Sequence, residues 1–174
     1  MTPAVIVTER LRLHAFRLDD FEPIFAGLCD PDVNRLLGGP PTREEMWGKL
    51  LRLPGQWALD GFGVLIVADR ATDRAIGQTG LARFRRDMEP GFGDTPEHSW
   101  IIGDGRGRGL ATEAATAALD WMERTHAPAR TVCLIHPDNH PSLNVAAKLG
   151  YHAYASTEYR GAPAMLLERA AASR

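Results

Sequence analysis

The chain has 174 residues, 44% apolar and 24% charged, a balance that excludes wholesale disorder and suits one domain with its own core. With 20 basic and 22 acidic residues the net charge is −2, lacking both the basic excess of a nucleic-acid binder and the acidic excess of a charged tail. The longest purely apolar run, Val64–Ala68, is far short of the roughly 20 residues that span a bilayer. The opening residues carry no apolar signal stretch, and Cys29 and Cys133 are too few for a disulfide scaffold. A cytoplasmic location is therefore expected, with no membrane or nucleic-acid partner. These totals name no function.

Taken in chain order, Leu11, Leu13 and Ala15 alternate with Arg10, Arg12 and His14, the period of a half-buried strand. Asp19 and Asp20 offer an N-cap to a helix bearing Phe21, Ile24, Phe25 and Leu28 on one face, which Asp30-Pro31 interrupts. Thr42 and Glu45 have capping-box spacing. The helix they open carries Met46, Leu50 and Leu53, and Pro54-Gly55 is expected to break it. Val64–Ala68 and Ala75–Leu81 read as buried strands joined by a hairpin turn over Asp69–Arg74. A loop dense in Pro, Gly and charge covers Arg85–Pro96, and Glu97–Ile102 reads as the next strand.

The run Gly103–Gly109 leads into the clearest helix, in which Ala111, Ala114, Ala115, Ala118, Leu119 and Met122 share a face. Thr131–Ile135 is a further buried strand. A short helix follows with Leu143, Val145, Ala146 and Leu149, opened by Pro141 and closed by Gly150. The last expected strand is Ala164–Leu167, before an Ala-rich tail expected to fray. No internal repeat is present, and helices inserted between strands of one sheet define a mixed α/β class.

Strand, glycine run and helix is a phosphate-binding arrangement, because small residues let backbone amides approach the ligand and the helix start adds unpaired N–H groups. Arg106 and Arg108 add charge. The run ends Gly-Leu-Ala rather than Gly-Lys-Ser/Thr, which excludes a Walker loop. Counting from Gly103, Gly105 or Gly107, the last glycine of G-x-G-x-x-G falls on Arg108, Leu110 or Thr112, which excludes a dinucleotide fingerprint. Arg106-x-x-Gly109-x-Ala111 does match the Q/R-x-x-G-x-G/A signature of the GNAT superfamily of acetyl-CoA-dependent N-acetyltransferases. Its surroundings, Arg106–Ala114, resemble the RimJ/RimL-like branch. So do Asn139–Tyr151, with its N-x-x-S…K-L-G-F/Y pattern, and the opening Thr8–Leu13.

The resemblance covers nearly the whole chain. It implies a single GNAT domain over 1–174 with a core at about 8–168, and a central splayed sheet flanked by helices, opening into a V beside the coenzyme. It implies acetyl-CoA as acyl donor, with contacts from Ile101 and Ile102, from Arg106, Gly107, Arg108, Gly109, Leu110, Ala111 and Thr112, and from Asn139 and Ser142. The activity implied is transfer of an acetyl group to a primary amine, of a protein N-terminus or a small molecule, directly within a ternary complex. The alternative is a non-catalytic acyl-CoA-binding or sensing domain on the same fold. A homodimer is compatible with either.

Acetyl transfer requires a deprotonated amine, a stabilised carbonyl oxygen and a protonated leaving thiolate. Glu97, where the branch often has an acidic residue, is the candidate base; the plain alternative is a solvated carboxylate at a strand entrance. Glu113, in the helix beyond the loop, reads as structural. Many family members carry a tyrosine seven residues after the asparagine matched by Asn139, and here that position is Ala146. The branch then implies Ser142 as the group near the sulfur and Asn139 as a positioning residue. An ordinary capping serine is the alternative. Pro137 and Pro141 keep His136 and His140 from sharing a helical metal face, so no metal is expected. Cys133 reads as a core residue rather than a nucleophile, and Trp100 as a core aromatic or a substrate wall. Asp87, Glu89, Asp94 and Glu97 would attract a cationic acceptor, an effect opposed by Arg83, Arg85 and Arg86.

Overall fold

The computed structural model describes residues 5–36 and 38–171. Its strands are β1 (Ile6–Val7), β2 (Leu11–His14), β3 (Val64–Asp69), β4 (Ala75–Ala82), β5 (Glu97–Ile102), β6 (Arg130–Ile135), β7 (His152–Tyr159) and β8 (Ala162–Ala170). Its helices are α1 (Phe21–Leu28), α2 (Pro31–Asn34), α3 (Arg43–Asp60), α4 (Leu110–Thr125) and α5 (His140–Lys148). The strands form one eight-stranded sheet in the order β1-β2-β3-β4-β5-β6-β8-β7. All neighbours are antiparallel except β5 and β6, which run parallel and therefore need the crossover that α4 supplies.

That parallel pair is where the sheet opens. β5 is paired with β4 along its whole length, from Ala82↔Glu97 to Gly77↔Ile102. β6 is likewise paired with β8 from Arg130↔Ala170 to Ile135↔Met165. Between β5 and β6 the only registered pair is Glu97↔Val132, reinforced by the Val132 N–H donating to the Pro96 carbonyl at 3.1 Å. Past this vertex the facing edges of β5 and β6 have no sheet partner among the described residues, so the mixed sheet is splayed as the family resemblance implies.

Side-chain alternation sorts the core onto two faces. Val64, Ile66, Ala75 and Ala82 pack against Phe21, Ile24 and Leu28 of α1 and Met46, Leu50 and Leu53 of α3. On the other face Leu11, Leu13, Leu65, Val67 and Ile102 meet Leu110, Ala114 and Ala118 of α4. Further along that face Cys133 and Ile135 meet Ala115, Leu119 and Met122 of α4 and Ala146 and Leu149 of α5. The alanines of α4 let its axis lie close to the sheet.

Several local expectations hold. Thr42 and Glu45 form the capping box, with the Glu45 N–H on Thr42 Oγ1 at 3.2 Å and the Thr42 N–H on Glu45 Oε2 at 2.8 Å. Asp69 Oδ1 accepts from the Ala71 and Thr72 amides and closes the β3–β4 turn. Gly150, at φ 83°, ends α5, where the Tyr151 N–H donates to the Ala146 carbonyl.

Other expectations are corrected. Pro54-Gly55 does not break α3, which continues to Asp60 and stops at left-handed Gly61. An internal proline costs about 3 kcal/mol, and here burial of Leu53 on one side and Trp57 on the other carries the helix through it. Asp20 does not cap α1 through its side chain. It closes a 3-10 turn over Leu18–Asp20 by accepting from the Arg17 N–H at 2.7 Å. The last strand is not confined to Ala164–Leu167: it runs to Ala170 because its polar end still pairs with β6. Ala172–Arg174, the end of the tail, lie outside the described residues. Strands β1 and β7 have no counterpart in the sequence reading, since β1 is two residues long and β7 is largely exposed.

Candidate active site

The glycine run occupies the passage from the open end of β5 into α4. Gly105, Gly107 and Gly109 have φ values of 77°, 79° and 78°, left-handed at every second position. Left-handed residues at alternate positions are the backbone pattern of anion-binding nests, and here they lead into the free N–H groups of α4 behind its N-cap Gly109. A side chain with a Cβ would be strained at each of the three. Leu110 is buried under the turn, while Ala111 and Thr112 remain half-buried in the first turn of α4.

Contacts outside the loop hold it in place. Arg10 Nη1 donates to the Arg108 carbonyl at 2.9 Å, and Arg74 pairs with Asp104 at 3.2 Å. Arg106 reaches Asp30, just past α1, with Nη2 and Oδ2 2.9 Å apart. Glu113 accepts from Thr8 Oγ1 at 2.5 Å, from the Arg10 N–H at 2.9 Å and from Arg10 Nε at 2.6 Å. Partial burial alone would raise the Glu113 pKa, but the hydrogen bonds from Thr8 and Arg10 outweigh it and hold the carboxyl below its usual range. Glu113 is the clamp between α4 and the β1–β2 end of the sheet, the structural role read for it from the sequence.

The open edge of β5 runs from the vertex to this loop. Ile101 turns toward the α1–α3 face and Ile102 is buried on the α4 face. Of the two, only Ile102 has its backbone N–H and C=O on the β6 side, where the sheet leaves them available to an extended amide-containing ligand lying in the splay as an added strand. Those of Ile101 face β4, as does the Gly103 N–H that donates to the Ile76 carbonyl two residues on. From the opposite wall, Asn139 N-caps α5, its Oδ1 accepting from the Ser142 N–H at 3.2 Å. The half-buried Ser142 hydroxyl makes no hydrogen bond among the described residues.

At the vertex, Glu97 is 3% exposed and is not a solvated carboxylate. Arg86 Nε donates to its Oε1 at 3.0 Å and its Oε2 at 2.7 Å, and Arg86 Nη2 donates to Oε1 at 2.6 Å. Burial raises the Glu97 pKa, and the Arg86 hydrogen bonds and charge oppose that rise only in part. The Arg86 guanidinium carbon stands 5.1 Å from the Phe84 ring centre and 4.9 Å from that of Tyr159.

The other face of the vertex holds His98, fully buried, with Nδ1 3.2 Å from the Tyr151 hydroxyl, which in turn lies 2.8 Å from Thr131 Oγ1. Burial, assisted by the charge of Arg169, pushes the His98 pKa down to about 3, so its ring is neutral. Trp100 packs edge-on to His98 with ring centres 5.0 Å apart, as a core aromatic. Cys133 is buried, and burial pushes its thiol well up, reinforced by the Glu97 charge. It is a core residue and not a nucleophile. Ala146, where many family members have a phenol, is fully buried in the same cluster.

Arg86, Tyr159 and Asp30 were not singled out as site residues from the sequence. Arg86 lies eleven positions before Glu97 in an irregular loop, and Tyr159 ends a strand with no apolar pattern. The structure also sorts the mixed charges of the β4–β5 loop into pairs: Arg83 with Asp60, Arg85 with Asp94, and Arg86 with Glu97. Among the described residues no helix is long and apolar enough to cross a membrane, and no cluster of three His, Cys, Asp or Glu could hold a metal ion.

A mixed sheet splayed beside a glycine-lined helix start is the architecture of an acyl-CoA-dependent acetyltransferase, and comparison with known proteins agrees. Residues 10–152 match the acetyltransferase (GNAT) domain family. The chain is 32% identical over 159 residues to the uncharacterized protein YkkB of Bacillus subtilis (strain 168), covering 84% of each chain. A solved structure from Bordetella pertussis, described as a GnaT-family acetyltransferase, is 32% identical with a TM-score of 0.83, over 96% of this chain and 99% of that one. At 14% identity, the ribosomal L7/L12 alpha-N-protein acetyltransferase RimL in complex with coenzyme A shares the fold, with a TM-score of 0.77 over 97% of this chain and 98% of that one. The chain belongs to the GNAT acetyltransferase family, whose members use acetyl-CoA.

Proposed function

We propose that the protein transfers an acetyl group from acetyl-CoA to a primary amine, directly and in a ternary complex. The observation that carries this reading is the left-handed alternation of Gly105, Gly107 and Gly109 at the start of α4, in line with the unpaired edge of β5. The loop amides of Arg106–Gly109 and the first turn, Leu110–Thr112, would hold the pyrophosphate, and the free edge of β5 at Ile102 the pantetheine amides. Acetyl-CoA supplies an activated thioester when bound.

The residues of the chain then have distinct tasks. Glu97 is the base at the vertex. Its Oε2 accepts from Arg86 Nε alone, whereas Oε1 accepts from both Nε and Nη2, so Oε2 keeps a lone pair for an amine or an intervening water. At pH 7 deprotonating a free α-amine costs only about 1 kcal/mol, against about 5 kcal/mol for a lysine. A weak base of this kind therefore suits a protein N-terminal amine, as on the RimJ/RimL-like branch, or a small amine of similar acidity. Ser142, with its hydroxyl uncommitted, protonates or orients the departing sulfur, and Asn139 fixes the helix that carries it.

The activity is tested by thiol release from acetyl-CoA in the presence of N-terminal alanyl and seryl peptides and small primary amines. Turnover should fall at least about tenfold in both Glu97→Gln and Ser142→Ala, with coenzyme affinity retained. The buried Ala146 in place of a phenol favours one second reading, a non-catalytic acyl-CoA-binding domain. Saturable coenzyme binding without thiol release for any amine would select it.

A further inference from the structure

Glu97 does not act at the vertex alone. We infer that Arg86 is a positioning residue for the transfer reaction, holding the Glu97 carboxylate ionised and oriented toward the acceptor side of the splay. The inference rests on the reading of Glu97 as base.

The geometry is specific to an arginine. Arg86 engages both carboxylate oxygens at 2.6–3.0 Å while its guanidinium carbon stands 5.1 Å from the Phe84 ring centre and 4.9 Å from that of Tyr159. A lysine can neither chelate the carboxylate in this way nor stack as a plane. The guanidinium is itself held from several directions. Phe84 belongs to the same loop, Tyr159 ends β7, and Thr157 of β7 donates from Oγ1 to the Glu89 carbonyl at 2.6 Å, tying that loop to the sheet. Arg86 therefore links the β4–β5 loop, the vertex and β7 at one carboxylate.

Among the described residues, Arg86 is the one cation on the Glu97 carboxylate. The carboxyl is almost wholly removed from water, which favours its neutral form, and a neutral carboxyl cannot accept a proton. The other ionisable groups near it are the buried Cys133 thiol on β6, the Tyr159 phenol on β7, which touches Arg86, and the neutral His98 on the reverse face of β5. None of them supplies a positive charge. Arg83 and Arg85, close in sequence, are committed to Asp60 and Asp94.

The test is a carboxyl carbon-13 NMR titration of Glu97 in the full chain, its resonance assigned by its loss in Glu97→Gln. In Arg86→Gln the Glu97 titration should move up by about 1–3 pH units, the range for losing an adjacent opposite charge. Arg86→Lys, which keeps the charge but not the fork, should move it by less and guards against a folding defect in the first variant. The acid limb of kcat/KM for thiol release with an alanyl peptide should move up in step, with KM for acetyl-CoA unchanged. Identical Glu97 titration in wild type and Arg86→Gln would overturn the role of Arg86 and leave Glu97 as base. Wild-type turnover in Glu97→Gln would overturn the base reading beneath it, and the catalytic role of Arg86 with it.

Discussion

The loop ahead of α4 and the vertex of the splay lie at opposite ends of β5 and are built from different materials. The loop is main chain: three left-handed glycines and the amides of a helix start, within eight consecutive residues. The vertex is side chain: a carboxylate from β5, a guanidinium from an irregular loop and two aromatic rings, one of them from β7. A main-chain site is specified by backbone conformation, so few residue types can build it, and contacts from Arg10, Arg74 and Asp30 hold it in place rather than form it. A side-chain site is specified by tertiary contacts, so it exists only when distant segments have met.

That contrast yields predictions of graded size. The largest effect should come from Gly109→Val, because a β-branched residue at φ 78° carries about 3 kcal/mol of backbone strain. The coenzyme A Kd should rise roughly a hundredfold while the circular dichroism spectrum is unchanged, since the strain falls on the loop and not on the core. An unchanged Kd would mean that the main-chain concavity is not the binding element.

Next is Glu113→Gln, which removes the charge from the clamp joining α4 to Thr8 and Arg10. With Glu113 half-buried and accepting from Thr8 Oγ1, the Arg10 N–H and Arg10 Nε, stability should fall by about 2–3 kcal/mol in urea unfolding, without moving the pH dependence of turnover. A matching loss of turnover in a still-folded variant would give Glu113 a role in the chemistry.

The smallest effect is a pH dependence set by the vertex core. His98 titrates at about 3 in the folded chain, against about 6.5 for a free imidazole. Its contribution to stability is therefore complete above about pH 6.5 and is lost progressively as the pH falls toward 3, because the unfolded chain binds the proton first. At pH 5 the loss should be about 2 kcal/mol. It should be absent from His98→Gln, as denaturant midpoints at pH 7 and pH 5 would show. An equal acid loss in both proteins would place the titrating group elsewhere.

The same contrast explains what could be read from the sequence. The α/β class, the strand–glycine–helix passage and the caps at Thr42 and Gly150 are written locally, in spacing and residue type, and are found in the fold, whereas the cap of α5 is Asn139 and not Ser142. The limits of α3 and β8 were misplaced because tertiary burial of Trp57 and pairing with β6 overrode the local signals of Pro54 and of the polar end at Glu168 and Arg169. β7 was missed because an edge strand exposed on most of its surface has no hydrophobic alternation to show. Glu97 was singled out, but its partner was not. Nothing in the stretch from Arg83 to Arg86 distinguishes the arginine that pairs with Glu97 from the two that neutralise Asp60 and Asp94.

The central claim is that the splay beside the glycine loop is an acetyl-CoA site. Calorimetric titration of acetyl-CoA into the wild-type chain and into Gly109→Val tests it most directly. The account predicts one saturable site per chain in the wild type, weakened roughly a hundredfold in the variant. No binding to the wild type, or equal binding to both proteins, would contradict it.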